Sequence, residues 1–160
     1  MQAVQKAVAL RTEREPFHLG RYDFTVRRSD IPLVVGGLAI ILLVALPIGY
    51  GSGFLVTPRI PQVGLLDALI DIAQIVLFEE ILFRALLFGA LYNRFGYWPA
   101  VVAGSLIFGG LHLIQFPWPM AAMATWAGVV FAVLYERTRR LSTSALAHAC
   151  TVAIQFFVLP

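Results

Sequence analysis

Long apolar runs separated by short polar turns constrain this chain more than any other feature. A helix needs about 20 apolar residues to cross the hydrocarbon core of a bilayer, and the first run, "IPLVVGGLAIILLVALPIGYGSGF", reaches that length. Backbone polar groups find no water inside a bilayer, so such segments form helices. The pattern therefore predicts an all-α, polytopic transmembrane bundle of about five spans, at residues 31–56, 63–93, 99–115, 120–135 and 143–160.

The composition favours an integral membrane protein over a soluble domain or a nucleic-acid binder. Hydrophobic residues make up 59% of the 160 residues and charged residues only 13%, against about 25% charged residues in soluble domains. Six of the twelve Lys and Arg residues lie in the polar segment 1–30. We expect this basic tail to face anionic lipid rather than nucleic acid. The single cysteine, Cys150, excludes an internal disulfide framework.

The distribution of positive charge predicts a cytoplasmic N-terminus. In that orientation the basic tail, the turn at Arg94 and the loop 136–142 all lie inside, and together they hold ten of the twelve Lys and Arg residues. The outer loops hold only Arg59, and the remaining Arg84 lies within a span. This asymmetry follows the positive-inside rule. It also supports a count of five spans, because one span more or fewer would scatter the charges.

Ionisable side chains within the apolar runs are the candidate functional residues. Charged groups at membrane depth are costly, and those that occur there usually serve a function. Asp67 and Asp71 lie near the outer end of the second run and are expected to be interfacial. The candidates lie in the second, third and fifth runs: Glu79, Glu80, Arg84, His112 and His148.

The spacing of these residues predicts two separate roles in the second run. Glu80 precedes Arg84 by four residues, the favourable order for an ion pair on one helix. Glu79 points about 100° away from Glu80, so it needs a partner on another helix. Glu79 and His112 lie at a similar depth, about 22 Å from the turn that joins their spans. We therefore expect these two to meet, whereas His148 lies nominally nearer the cytoplasmic side.

One carboxylate and two imidazoles around a small wet cavity can activate a water molecule. The carboxylate would act as the general base, and a histidine would orient the water or stabilise an oxyanion. Glu79, His112 and His148 are also a plausible ligand set for a divalent metal such as zinc, with a fourth position left for water. The residues leave open whether a metal is used. In either case the expected chemistry is hydrolysis of a peptide bond inside the membrane.

Each candidate taken alone has an ordinary structural interpretation. An isolated Glu80–Arg84 pair is more often structural than catalytic, and a lone histidine on an apolar helix is usually a packed, hydrogen-bonded residue. Ser105 shares a face with His112 and is more often a packing serine than a nucleophile. The joint occurrence of acids, an arginine and two histidines across three spans favours a functional site.

Three motifs carry these residues in a characteristic order. "EEILFR" (79–84) has the form EExxxR, "FGGLH" (108–112) has the form FxxxH, and "HACTV" (148–152) stands where HxxxN would be. In order and spacing they resemble the CPBP intramembrane proteases, the group that contains type II CAAX prenyl proteases and bacteriocin-processing or immunity proteins. The resemblance covers about residues 63–160, after a basic tail (1–30) and a first transmembrane helix (31–56).

The resemblance implies a role for each matching residue. Glu79 and His112 would activate the catalytic water, and Glu80 and Arg84 would brace the site. His148 and the residue four positions later would support the oxyanion, but Val152 stands where the family has asparagine. Thr151 and Gln155 are the neighbouring donors that could replace it.

The family also implies surroundings for the protein. The implied partners are a lipid bilayer, a membrane-associated or prenylated-type protein substrate and helices that complete the bundle. The implied location is a bacterial or archaeal cytoplasmic membrane. The family pattern leaves open whether a metal is bound or the glutamate acts alone.

Two other classes of function compete with the protease. A non-catalytic membrane binding or immunity protein would keep the polar core as a scaffold, and Val152 favours that class. A small transporter or assembly subunit would use a carboxylate as a proton relay, although five spans without a repeat are few for a carrier. Other intramembrane proteases fit poorly, because the chain has no HExxH, no Gly-x-Ser-Gly with a partner histidine and no Gly-x-Gly-Asp.

Overall fold

The protein is a bundle of helices, described by the computed structural model over residues 23–55 and 64–157. Within these ranges all regular structure is helical, which confirms the all-α prediction. A 3-10 turn, Arg28–Asp30, leads into α1 (Ile31–Gly51). A long rod follows, made of α2 (Leu65–Glu80), a π-helical segment (Ile81–Phe88) and α3 (Gly89–Phe95). The last helices are α4 (Tyr97–His112), α5 (Trp118–Thr138) and α6 (Leu141–Phe157).

Each predicted apolar run corresponds to one helical rod, but the rods differ in their capacity to span a bilayer. Two of the described helices, Arg28–Gly51 and Trp118–Thr138, are long and apolar enough to cross a membrane. Helices α4 and α6 have 16 and 17 residues, which gives lengths of about 24–26 Å, slightly below the usual hydrocarbon thickness of about 30 Å. The count of five spans and the cytoplasmic N-terminus stay predictions. Residues 1–22 and Arg59, on which the orientation also rests, lie outside the described ranges.

Proline and glycine set several of the helix boundaries. Helices α1 and α5 each have a proline in their first two positions, where the missing N–H costs no hydrogen bond. Gly96 has a φ of 85° between α3 and α4, a conformation that glycine adopts at little cost. The abrupt turn at Gly96 brings α4 back along the rod that carries Glu79 and Arg84.

Helix α5 is the centre of the bundle, and it packs against α1, α4 and α6. Its contact with α4 is the most extensive and depends on Gly109. A Cβ at Gly109 would lie 1.8 Å from Thr125 Oγ1 and 2.7 Å from the carbonyl oxygen of Ala121. Ser105 is also packed against α5, as predicted for a small residue. Gly110 faces open space instead, so it takes no part in this contact.

The extended segment before α1 holds the beginning of α6 in place. The Leu141 amide donates to the Asp23 carbonyl oxygen at 2.8 Å, and the Ser142 hydroxyl donates to the Thr25 carbonyl oxygen at 2.6 Å. The Arg140 guanidinium forms a bidentate ion pair with the carboxylate of Asp30. Hydrogen bonds from the Thr25 hydroxyl and amide lower the pKa of Asp23. These contacts fix the start of the helix that carries His148.

The two adjacent glycines of α4 provide a matched test of this packing. We expect Gly109→Ala to lower the free energy of unfolding by roughly 1–3 kcal/mol, the usual cost of overpacking. Gly110→Ala, with no heavy atom near its new Cβ, should leave stability unchanged or slightly raised. The measurement is unfolding of the purified protein in mixed micelles as the fraction of denaturing detergent increases. Equal stability of the two variants would contradict the close α4–α5 contact.

Candidate active site

The candidate site lies where the long rod meets α4, α5 and α6. Glu79 and Glu80 end α2, and Arg84 lies within the π-helical segment that follows. A π-helical turn is wider than an α-helical one and occurs frequently at functional sites. His112 comes from the end of α4 and His148 from the second turn of α6. The π-helical segment was not foreseen from the sequence, because its residues are ordinary helix formers.

His148 is the residue on which the acidic side chains converge. Its Nδ1–H donates to Glu80 Oε1 at 2.9 Å, since a carboxylate only accepts. Its Nε2 lies 3.6 Å from Glu79 Oε2. The ring stacks on Phe131 with centroids 4.7 Å apart and meets the edge of Phe108 at 5.9 Å. The imidazole is therefore oriented by a carboxylate at each nitrogen and by two aromatic rings.

Glu80 and Arg84 form the predicted ion pair in the interior. Arg84 Nε lies 3.5 Å from Glu80 Oε2, and the two residues are 2% and 0% exposed. The guanidinium carbon lies 4.6 Å from the ring centroid of Phe108 and 5.1 Å from that of Phe131. Aromatic faces attract a cation most strongly where water is excluded. Charge pairing and ring contacts together compensate for the burial of Arg84.

Glu79 differs from Glu80 in its access to the outside of the bundle. The Glu79 side chain is 23% exposed, whereas that of Glu80 is 0% exposed. Both carboxylates approach the same imidazole from opposite nitrogens. The arrangement thus combines one enclosed carboxylate that holds the ring with one accessible carboxylate that can meet water or a ligand.

His112 lies beside this cluster and is half-buried. Its Nδ1–H donates to the carbonyl oxygen of Phe108 at 2.9 Å, because a carbonyl oxygen only accepts. The neutral ring therefore keeps a lone pair on Nε2. Phe108 lies between the two histidine rings, with centroids 5.0 Å from His112 and 5.9 Å from His148. His112 is thus connected to the cluster through the Phe108 ring.

The expected pairing of Glu79 with His112 differs from what the structure has. Among the described side chains, the ionisable partner of Glu79 is His148 on α6, and that of Glu80 is His148 as well as Arg84. Helix α6 begins at Leu141, immediately after the loop, so His148 is already two turns into the bundle. The depth count from the loop had placed this residue too far toward the cytoplasmic side.

The proposed metal ligands do not form a metal site in this arrangement. Within residues 23–55 and 64–157, no group of three or more His, Cys, Asp or Glu side chains could hold a metal ion. Glu79 and His148 approach each other. Nδ1 of His148 is bonded to Glu80 and Nδ1 of His112 to a backbone carbonyl, so only Nε2 of each ring would be left to ligate. As arranged in this structure, the three proposed ligands therefore do not come together around one metal ion.

The third motif lacks a free donor in its last turn. Val152 is half-buried one turn after His148. The Thr151 hydroxyl donates to the Ala147 carbonyl oxygen at 2.8 Å, and the Gln155 amide nitrogen lies 3.4 Å from the Met120 sulfur. The Thr151 hydroxyl is therefore committed to its own helix, and Gln155 directs one of its two N–H donors toward Met120.

Sequence reasoning did not identify Phe131, which stacks on His148 and faces Arg84. It is one aromatic residue within an apolar helix and belongs to no motif, so no pattern marks it. Phe108 was marked, as the first residue of "FGGLH". Both rings shape the interior around the two charged partners.

The buried ion pair provides a test of the site's energetics. Glu80→Gln should lower the free energy of unfolding by about 3–5 kcal/mol, because it leaves the Arg84 charge buried without its partner. Glu79→Gln, at the accessible carboxylate, should cost much less. The double variant Glu80→Gln/Arg84→Met should recover part of the loss, since it removes the buried charge that Glu80→Gln leaves without a partner. Mixed-micelle unfolding measures all three, and equal losses for the two single variants would contradict the assignment.

Comparison with known proteins identifies the family of the chain. The family model described as type II CAAX prenyl endopeptidase Rce1-like matches residues 61–154, a range that contains all five candidate residues. The chain is 39% identical over 70 residues to "Putative membrane peptidase YdiL" of Bacillus subtilis (strain 168), an alignment that covers 44% of this chain and 28% of that relative. No solved structure shows a significant match. The family match extends over more than half of the chain, and this integral membrane protein belongs to the Rce1-like family of type II CAAX prenyl endopeptidases.

Proposed function

We propose that the chain is an intramembrane endopeptidase in which Glu79 is the general base that activates water. The observation that carries this proposal is the difference in exposure between two adjacent carboxylates that contact the same imidazole. Glu80 is fully enclosed and paired with Arg84, while Glu79 is 23% exposed on the other side of His148. Only the accessible carboxylate can take a proton from a water molecule that reaches the site from outside the bundle.

The proposed reaction begins with a water molecule between Glu79 and the substrate carbonyl. Glu79 takes one proton from this water, and the oxygen forms a bond to the carbonyl carbon. The carbonyl oxygen becomes an oxyanion in the tetrahedral intermediate. Glu79 then returns the proton to the amide nitrogen, the C–N bond breaks, and the products are an amine and a carboxylic acid.

The two histidines have different parts in this proposal. His112 donates from Nδ1 to a backbone carbonyl, so Nε2 is available to accept a hydrogen bond and orient the water. His148 holds its Nε2 toward Glu79, where a proton can be shared between ring and carboxylate. An imidazolium at this position would also donate toward the oxyanion. The ring contact through Phe108 keeps the two histidines at a fixed separation.

Glu80 and Arg84 are positioning residues in the proposed mechanism. Glu80 accepts from Nδ1 of His148, which fixes both the tautomer and the direction of the ring. Arg84 neutralises Glu80, so the enclosed carboxylate remains ionised without a compensating proton. Neither residue needs to contact the substrate.

The substrate class that we propose is a membrane-associated or prenylated protein. The support is the family membership together with a site built from helices that run through apolar surroundings. The matched region spans only 28% of the curated relative's length, so the relative's description is carried over as a proposal. We also propose a bacterial or archaeal cytoplasmic membrane as its location, with the N-terminal tail on the cytoplasmic face.

Cleavage by purified protein in liposomes tests the proposed function. We expect Glu79→Gln and His112→Ala each to reduce the cleavage rate of a fluorogenic prenylated CAAX peptide by at least about 10²-fold, the usual contribution of an acid–base group. Both variants should elute as folded protein on size exclusion.

Asp71→Asn is the matched control, because Asp71 lies exposed on the same helix about two turns before Glu79. It should cleave at the wild-type rate. Undiminished cleavage in both Glu79→Gln and His112→Ala would overturn the assignment of the catalytic water to these residues.

A second candidate function is a non-catalytic membrane binding or immunity protein that retains the protease scaffold. The observation that favours it is the last turn of the third motif. Val152 cannot donate a hydrogen bond, the hydroxyl of Thr151 is bonded to its own helix, and the amide nitrogen of Gln155 is directed to the Met120 sulfur. A site with one oxyanion donor fewer would bind a substrate segment and turn it over slowly or not at all.

The variant Val152→Asn separates the two candidates. One missing oxyanion donor lowers kcat by about 10²–10³-fold in well-studied enzymes. If the chain is an enzyme with a weakened oxyanion site, the wild type should cleave at a measurable rate. Val152→Asn should then raise its kcat, by up to that factor. Val152→Leu, which adds no donor, is the control. A wild type without any turnover, made active by Val152→Asn, would favour the binding function.

A further inference from the structure

A small internal cavity lies between the π-helical segment, α4 and α5. Its volume is about 10 Å³, which is close to the least space that holds one water molecule. Two polar residues, Arg84 and Ser105, line it. The remaining wall is apolar or small: Phe83, Phe88, Ala100, Gly104, Gly128 and Ala132.

Both polar residues of the cavity have atoms without a protein partner. Arg84 Nη2 and Ser105 Oγ are buried and form no hydrogen bond with any residue that the structure describes. Arg84 Nε and Glu80 Oε2 also lack a hydrogen bond, but they face each other at 3.5 Å in the ion pair. The two residues are 2% and 3% exposed. Buried polar groups are nearly always hydrogen-bonded, to protein or to ordered water, and an unpaired one costs about 1–3 kcal/mol.

The state of Ser105 differs from that of the other hydroxyls in these helices. Thr125, Thr138 and Thr151 each donate to the carbonyl oxygen four residues earlier, at 2.8 Å. This bond is the usual way for a helical hydroxyl to be satisfied in apolar surroundings. The Ser105 hydroxyl makes no such bond to its own helix and lines the cavity opposite an arginine.

We propose that this cavity is a binding site for a single water molecule, which bridges the Arg84 guanidinium and the Ser105 hydroxyl. The guanidinium donates to the water oxygen, and the water and the Ser105 hydroxyl share a second hydrogen bond. Arg84 Nη2 and Ser105 Oγ provide two partners, the smallest number that a buried water needs. The volume excludes any larger ligand.

This water makes Ser105 a positioning residue, an inference that rests on the proposed function for its catalytic meaning. Arg84 pairs with Glu80 at 3.5 Å, and Glu80 fixes Nδ1 of His148 at 2.9 Å. The other contacts of the guanidinium within the described ranges are with aromatic rings, which attract it without setting its rotation. A bridge to α4 fixes the guanidinium plane, and through Glu80 it fixes the direction of the imidazole.

The first measurement is structural and does not depend on activity. A high-resolution structure of the wild-type protein in lipidic mesophase should show density for one water within hydrogen-bonding distance of Arg84 and Ser105. The same density should be lost or displaced in Ser105→Ala. Thr125→Val is the matched control, because it removes a hydroxyl from the same α4–α5 contact without touching the cavity. Absence of the density in the wild type overturns the water site.

The second measurement asks whether the water positions the imidazole. In protein labelled with 15N-histidine, the Nδ1 resonance of His148 should shift in Ser105→Ala and stay in place in Thr125→Val. Ser105→Thr, which keeps the hydroxyl, should restore the wild-type resonance. An unmoved resonance in Ser105→Ala, or an equal shift in Thr125→Val, overturns the positioning role.

Peptide cleavage connects the inference to function. Ser105→Ala should lower kcat by up to about 10²-fold, as small displacements of positioning groups do, while KM stays unchanged. A rise in KM with constant kcat would instead contradict a positioning role. A wild type without cleavage counts against the proposed function alone, since the water density and the histidine resonance still decide the present inference.

Discussion

The arginine in the interior of this bundle is the constraint on which the rest of the site depends. A guanidinium cannot lose its charge in a protein, so Arg84, at 2% exposure, requires an enclosed anion. Glu80 provides that anion, and its second oxygen then binds His148. The orientation of the imidazole is thus a consequence of neutralising the arginine. Aromatic rings from α4 and α5 complete the enclosure, which explains why the site needs all four neighbouring elements.

The same constraint separates the two glutamates by function. Only one carboxylate can be committed to Arg84, because an additional enclosed charge would remain without a partner. Glu79, one position earlier, is left at the edge of the enclosure, where its carboxylate is 23% exposed and still approaches His148. The site therefore has one fixed imidazole and one accessible carboxylate. In the proposed mechanism, the acid–base chemistry rests on groups whose geometry is set by the buried pair.

The sequence predicted the helical bundle and the Glu80–Arg84 pair, because both follow from local rules: apolar runs of sufficient length and an i, i+4 spacing. It assigned Glu79 the wrong partner, since depth counting assumes straight α-helices and equal loop heights. The π-helical turn at Ile81–Phe88 breaks the first assumption, and the early start of α6 breaks the second. The stacking of Phe131 on His148 and the cavity at Ser105 could not be predicted from the sequence, because they depend on which faces of α4 and α5 meet. That choice depends on Gly109 and on the shapes of many side chains together.

In α6, the contacts that hold His148 are separate from position 152. A site of this type could therefore lose activity through a change at position 152 and keep its fold. His148 is fixed from the α2 side by Glu80 and from α5 by Phe131, and neither contact involves Val152. In the proposed mechanism, valine in place of a donor at position 152 removes one oxyanion interaction and leaves the supports of the imidazole unchanged. Thr151 cannot compensate without breaking its bond to the Ala147 carbonyl oxygen. The arrangement of the buried pair, the imidazole and the accessible carboxylate therefore does not depend on a donor at position 152. That donor is the feature that separates the two candidate functions.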